Sequence, residues 1–235
     1  MASQSHRHQK RNVGRTELRE VKLSKTLSWI LRHGAEQLGL QMDSEGYVYV
    51  DDILGTKHLR GYTDEDVRRA VAENNKQRFG LKFDTSGRAM IRARQGHSVQ
   101  IESLKLAPVT VDDVDSFPIV LHGTNSTAWK SIQTQGLSKM KRNHIHFAPG
   151  EPGESGVISG MRRSCDIWIY INLKLALEDG IEFGLSENSV ILSPGDQNGI
   201  ITPKYFARVV KVDPKRRIAQ QEVLVVDCGS ESTCL

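Results

Sequence analysis

Apolar residues at Leu23, Leu27, Ile30 and Leu31, with Leu38 beyond them, recur at the i, i+4, i+7, i+8 spacing of one α-helical face. The pattern predicts a helix over Leu23–His33, with Gly34 placed to cap its end. At about 100° per residue, Arg32 falls far from the Leu27/Leu31 stripe and His33 lies on its flank. "EGYVYVDDIL" reads as a short strand running into a helix start. "TDEDVRRAVAENN" reads as a further helix, capped by Thr63 with Asp66 three residues on, its inner face made by Val67, Ala70 and Val71. The period then changes to two. Phe79, Leu81 and Phe83 alternate, "DTSG" turns the chain, and Met90–Ala93 returns as the second strand of a hairpin. Alternation sets Ile91 on one face and Arg92 on the other. Helices followed by a hairpin predict a winged-helix-like module.

"LAPVTVDDVDSFP" (Leu106–Pro118) is polar, acidic and bracketed by prolines, and reads as a linker. Beyond it come short β-rich runs, "IVLHG", "HIHFA", "DIWIYIN", "SVILS", "RVVKV" and "EVLVV", with one clear helix at "STAWKSIQTQG". Ile167, Ile169 and Ile171 alternate with Trp168 and Tyr170, which predicts a half-buried strand. The fold class expected is α+β. The expected division is a disordered basic arm at 1–20, a first lobe at 21–107, a linker at 108–117, a β-rich second lobe at 118–228 and a tail at 229–235.

Composition narrows the class without fixing the function. Of 235 residues, 38% are hydrophobic and 26% charged, a balance that can build a core. No apolar run is long enough for a bilayer span, so no membrane partner is expected. The basic start "MASQSHRHQKRNVGRTELRE" has no apolar h-region and does not read as a secretory signal. Cys165, Cys228 and Cys234 are odd in number and widely spaced, which fits a reduced intracellular protein, in cytoplasm or nucleus, better than a disulfide scaffold. A net charge of +4 is compatible with a polyanionic partner and does not require one.

Four stretches could carry chemistry, and each has a plain alternative. Arg32–His33 could be an anion site beside an acid/base group, or a cation pair favoured at a helix C-terminus. In "MIRARQGHS", Arg92 and Arg94 precede a Gly-His-Ser turn rich in donors, though an exposed charged strand edge reads the same way. His122 ends a strand before Gly123 and Thr124, where a glycine admits a ligand closely, and His144 and His146 share one strand face. A zinc site completed by Cys165 or a carboxylate is the alternative there, although the usual ligand spacings are missing. "GVISGMRRSCD" offers Arg162 and Arg163 after Gly160, or a solvated basic turn. Neither a G-x-G-x-x-G nor a P-loop fingerprint occurs.

In order, "LSKTLSWILRHG", "NNKQRFGLKF", "IRARQGHS", "LHGT", "HIHFAPG", "GVISGMR" and "TPKYF" closely resemble the RNA 2′-phosphotransferase family, NAD-dependent enzymes that remove the splice-junction 2′-phosphate from tRNA. The resemblance spans about Val21 to Val212. It implies an N-terminal winged-helix RNA-binding lobe and a C-terminal ADP-ribosyltransferase-like lobe that binds NAD. It carries the family's catalytic set onto Arg32, His33, Arg92 and Arg162, with Arg163 competing for the last place, and the NAD site onto His122, Gly123, Thr124, His144 and His146. Three arginines suit a phosphomonoester because guanidinium stays protonated and binds two oxygens at once. On this reading the helix ends in Arg32–His33 because its end faces a phosphate between the lobes.

The partners implied are NAD as co-substrate and a tRNA, or other RNA with an internal 2′-phosphate, acting with a monomer and without a metal. Lys76, Arg78, Arg94, His97 and Ser98 are the expected RNA contacts, mostly to backbone and therefore salt-sensitive. Arg94 stands where the family often has asparagine. The rival readings are an ADP-ribosyltransferase that stops after modifying a nucleic-acid phosphate, one that modifies protein, and a winged-helix RNA-binding protein with an inactive second lobe.

Overall fold

A computed structural model describes residues 17–74, 76–101, 104, 106–154, 157, 164–213 and 219–225. The chain divides into two units, after Leu104. Among the described residues no helix is long and apolar enough to cross a membrane.

The first unit begins with helix α1, residues 17–29. Residues 17–20, expected in the disordered arm, are helical. Arg19 fixes them by donating to the Gly61 carbonyl at 2.6 Å and to Asp66 at 3.0 Å, with its guanidinium over the Tyr62 ring. Strand β1 (Val48–Tyr49) and helices α2 (Val50–Leu54) and α3 (Asp64–Ala72) follow. Thr63 and Asp66 close the capping box expected at the start of α3. Strands β2 (Phe79–Phe83) and β3 (Ala89–Ala93) form the hairpin, and the antiparallel sheet runs β1-β3-β2. The Leu23/Leu27/Ile30/Leu31 stripe packs on Val48, Ile53, Val67, Phe79 and Ile91 to make one apolar core.

The end of α1 departs from expectation. Gly34 does not cap the helix. It is the last residue of a π turn, Ile30–Gly34, and the chain continues through a 3₁₀ turn (Glu36–Leu38) to Gly39, the left-handed residue at φ 68°. Packing explains the choice. Trp29 folds its indole over Gly34, where an added Cβ would lie 2.8 Å from Trp29 Cη2, and a His58 ring centroid sits 5.1 Å from that of Trp29. Gly34→Ala is therefore expected to destabilise the protein by about 1–3 kcal/mol, the usual cost of overpacking. A melting temperature equal to the parent's would mean that Trp29 swings aside freely.

The second unit contains two four-stranded antiparallel sheets. One runs β4-β9-β10-β7, from Ala107–Val109, Phe183–Leu185, Ile191–Ser193 and Ile145–Phe147. The other runs β13-β12-β8-β5, from Ala219–Val225, Phe206–Val212, Ile167–Ile171 and Leu121–Thr124. A bridge between Leu121 and Ala148 links β5 to the end of β7. Both sheets contribute to one core: Ile145, Phe147, Phe183 and Ile191 from the first, Ile167, Ile169, Phe206 and Val209 from the second. Helix α4 (Ser126–Gln135) adds Trp129 to it, and α5 (Leu173–Glu178) adds Leu173 and Ala176. A pair of two-residue strands, β6 (Leu137–Ser138) and β11 (Ile200–Ile201), completes the described strands. The architecture is α+β.

Two further expectations are corrected here. The stretch Leu106–Pro118 is not merely a connection, because Ala107–Val109 pairs with β9 and a 3₁₀ turn follows at Val111–Ser116. Val109 is buried in the core, which ties this stretch to the sheet. Strand β8 is buried on both faces rather than one. Its isoleucines enter the main core, while Trp168 and Tyr170 join a second cluster with Leu121, Ala148, Val210 and Val212.

Candidate active site

The π turn positions Arg32 and His33 against a segment far along the chain. The Arg32 carbonyl accepts the Ser98 backbone N–H at 2.9 Å. Ser98 Oγ donates towards the same carbonyl at 3.4 Å, across 66 residues of sequence, and lies 2.9 Å from His33 Nδ1. With the hydroxyl hydrogen on the Arg32 carbonyl, which can only accept, the hydroxyl oxygen accepts from His33 Nδ1–H. That tautomer makes Nε2 the acceptor nitrogen of an otherwise exposed ring. Gly96 completes the junction. Its φ of 86° is one that side-chain-bearing residues rarely adopt, and an added Cβ would lie 3.3 Å from Arg32 Cζ. The structure thus brings "LRHG" and "RARQGHS" together.

Arg92 lies in the middle of β3. The exposed-edge alternative fails for it: β3 is the central strand of its sheet, and Arg92 is only 5% exposed. Its guanidinium lies 4.7 Å from the Tyr47 ring centroid, and Nη1 donates to the Glu45 carbonyl at 3.2 Å. These contacts hold the guanidinium plane in one orientation. Arg94, half-buried, donates from Nε to the Phe79 carbonyl at 3.2 Å. His97 is buried at 2% exposure, against the turn at Gly46. Lys76 and Arg78 sit in an ordered turn organised by Asn74, whose Oδ1 accepts from both backbone N–H groups and from Arg78 Nη1. Burial pushes the Arg78 guanidinium pKa down.

In the second unit, His122 on β5 places Nδ1 2.9 Å from the His146 carbonyl, so this nitrogen carries the proton and Nε2 is the acceptor. Burial pushes the His122 pKa down, the carbonyl contact opposes this, and the nearby Arg142 charge lowers it again. The ring is therefore neutral near pH 7, packed edge-on against Phe147 at 5.9 Å. His146 in turn places Nδ1 3.0 Å from the His144 carbonyl. Burial, with Lys139 adding to it, also lowers the His144 pKa. Gly123 and Thr124 continue β5 to the start of α4, where Asn125 caps the helix. Asp166 pins that start by accepting from the backbone N–H of Ser126 at 2.8 Å and from its hydroxyl at 2.6 Å. Among the described residues no group of three or more metal-ligating side chains gathers, so the zinc alternative built on His144, His146 and Cys165 has no ligand set there.

Gly160, Arg162 and Arg163 lie outside the described residues. Three supporting residues escape the sequence reading. Trp29 and Tyr47 look like ordinary aromatics, and their roles come from tertiary contacts. Asp166 could have been suspected only from its position just before a strongly apolar strand.

Residues 18–195 match the family described as "RNA 2'-phosphotransferase, Tpt1 / KptA family", and the chain belongs to that family. It is 51% identical over 199 residues to "tRNA 2'-phosphotransferase 1" of Danio rerio, covering 84% of this chain and 88% of that one. The protein of the same name from Homo sapiens is 47% identical over 204 residues, covering 86% and 80%. "tRNA 2'-phosphotransferase" of Saccharomyces cerevisiae is 38% identical over 167 residues, covering 69% and 73%.

Proposed function

We propose that this protein transfers the splice-junction 2′-phosphate of tRNA to NAD, giving a plain 2′-OH on the RNA, nicotinamide and ADP-ribose 1″,2″-cyclic phosphate. The observation that carries the reading is the junction of Arg32–His33 with Gly96–Ser98, which sets a permanent cation, Arg32, beside a proton-exchanging ring. The helix, strand, two helices and hairpin of the first unit suit a winged-helix RNA-binding lobe. The two antiparallel sheets of the second suit an ADP-ribosyltransferase-like lobe. A neutral His122 with an acceptor nitrogen is compatible with a ribose hydroxyl of NAD, and His144, His146, Gly123 and Thr124 are assigned to the same site by family likeness.

NAD enters as second substrate and supplies the electrophilic C1″. In the first step a 2′-phosphate oxygen bonds to C1″ as the bond to nicotinamide breaks, leaving an ADP-ribosylated RNA phosphate. In the second, the ribose O2″ loses its proton and bonds to phosphorus, and the bond from phosphorus to the RNA 2′-oxygen breaks. Arg32, Arg92 and, by family likeness, Arg162 hold the phosphoryl oxygens and stabilise the charge on them. His33 takes the O2″ proton at Nε2, its acceptor nitrogen, and gives it to the departing RNA oxygen.

The test is an RNA with one radiolabelled internal 2′-phosphate, incubated with and without NAD. Label passing to ADP-ribose cyclic phosphate only with NAD is the expected result. Label resting on ADP-ribosylated RNA would mean a transferase that stops halfway, and RNA binding without reaction would leave a binding protein.

A further inference from the structure

The first unit holds a cleft of about 860 Å³ that begins at His33 and Ser98 and runs along the segment between Gly39 and Ser44. Its volume is that of a small-molecule site. Its chemistry differs from the junction it adjoins. None of the described residues lining it is lysine or arginine, and two, Glu36 and Asp43, are acidic. Asp43 stays ionised: burial opposes its charge, but the Tyr47 and Glu45 backbone N–H groups and Lys82 outweigh this and hold the carboxyl below its ordinary range. A wall without lysine or arginine offers a phosphate chain no cation. It suits the uncharged part of an RNA.

The remaining lining is of that kind. Gln41 and Gln100 carry amides that donate and accept at once, as the edge of a base requires, and Met42 and Val99 add apolar surface for a base plane. We infer that this cleft is a nucleobase subsite, which receives a base adjoining the 2′-phosphate while that phosphate lies at the Arg32–His33 junction. The inference rests on the proposed function and extends it to substrate recognition. Gln41 and Gln100 are specificity residues here, not catalytic ones. Both are exposed, so the fold does not depend on them.

The experiment measures binding of a fluorescent oligoribonucleotide with one internal 2′-phosphate, without NAD, by anisotropy. Two further RNAs are abasic at the phosphorylated nucleotide or at its 3′ neighbour. The Gln41→Ala/Gln100→Ala double variant is expected to bind the complete RNA about five- to twenty-fold more weakly than the parent does, the range of a base contact. One abasic RNA should bind parent and variant alike, and which one it is identifies the base. Equal binding of the complete RNA by parent and variant would overturn the subsite, as would abasic RNAs that bind the parent as well as the complete one. Turnover with NAD is a separate reading. Its absence would remove the transfer reaction and leave the base contact to be judged by binding.

Discussion

Alanine at His33 should slow release of the RNA 2′-oxygen by about 10²–10⁴-fold, the usual worth of a positioned proton donor, and should let ADP-ribosylated RNA accumulate. The asymmetry follows from the proposed chemistry. The first step expels nicotinamide, which leaves neutral and needs no proton. The second expels an alkoxide, which does. The ring is set for that role when Ser98 Oγ accepts a hydrogen bond from Nδ1–H and directs its own hydrogen towards the Arg32 carbonyl, so that Nε2 exchanges protons. His33 is exposed, and its removal leaves the core intact. Rapid-quench sampling with labelled RNA checks the expectation. Equal slowing of both steps, with no intermediate, would remove His33 from proton transfer.

Lysine at Arg92 should lower single-turnover phosphate transfer by about 10–150-fold, the worth of one hydrogen bond to a charged group, although the charge is kept. A guanidinium presents its donors as a planar fork, whereas an ammonium is a point charge. The plane of Arg92 is fixed by the Tyr47 ring beneath it and by the Glu45 carbonyl at 3.2 Å. A lysine there would reach the carbonyl or the phosphate, but not both in the same geometry. A thermal melt separates loss of function from loss of fold. Activity within twofold of the parent, with the fold retained, would mean that charge alone suffices at this position.

Much of this arrangement was legible in the chain. The α3 capping box at Thr63 and Asp66, the hairpin of β2 and β3 and the apolar stripe of α1 are local patterns, and local patterns report local structure. What escaped depends on partners distant in sequence. Strand β8 looks half-buried because its alternation of isoleucine with Trp168 and Tyr170 does not reveal that a second cluster covers the aromatic face. Ala107–Val109 looks like linker because proline and acidic neighbours conceal an edge strand whose partner lies at Phe183–Leu185. From its neighbours alone Arg92 reads equally as an exposed charge or a functional one, because nothing beside it in the chain announces Tyr47 or Glu45. The family motifs name the catalytic candidates, while the tautomers of His33 and His122 emerge only from the carbonyl and hydroxyl placed against them.

The widened turn at Ile30–Gly34 has a meaning for chain length as well as for packing. Bonding from i to i+5 spends one more residue per closed ring than bonding from i to i+4. Loss of a single residue between Trp29 and His33 with the winding unchanged would rotate each residue beyond it by about 100° about the axis. His33 would then face away from Ser98, though every residue type in the motif survived. The count of residues between Trp29 and Gly39 is therefore a dimension of the proposed active site.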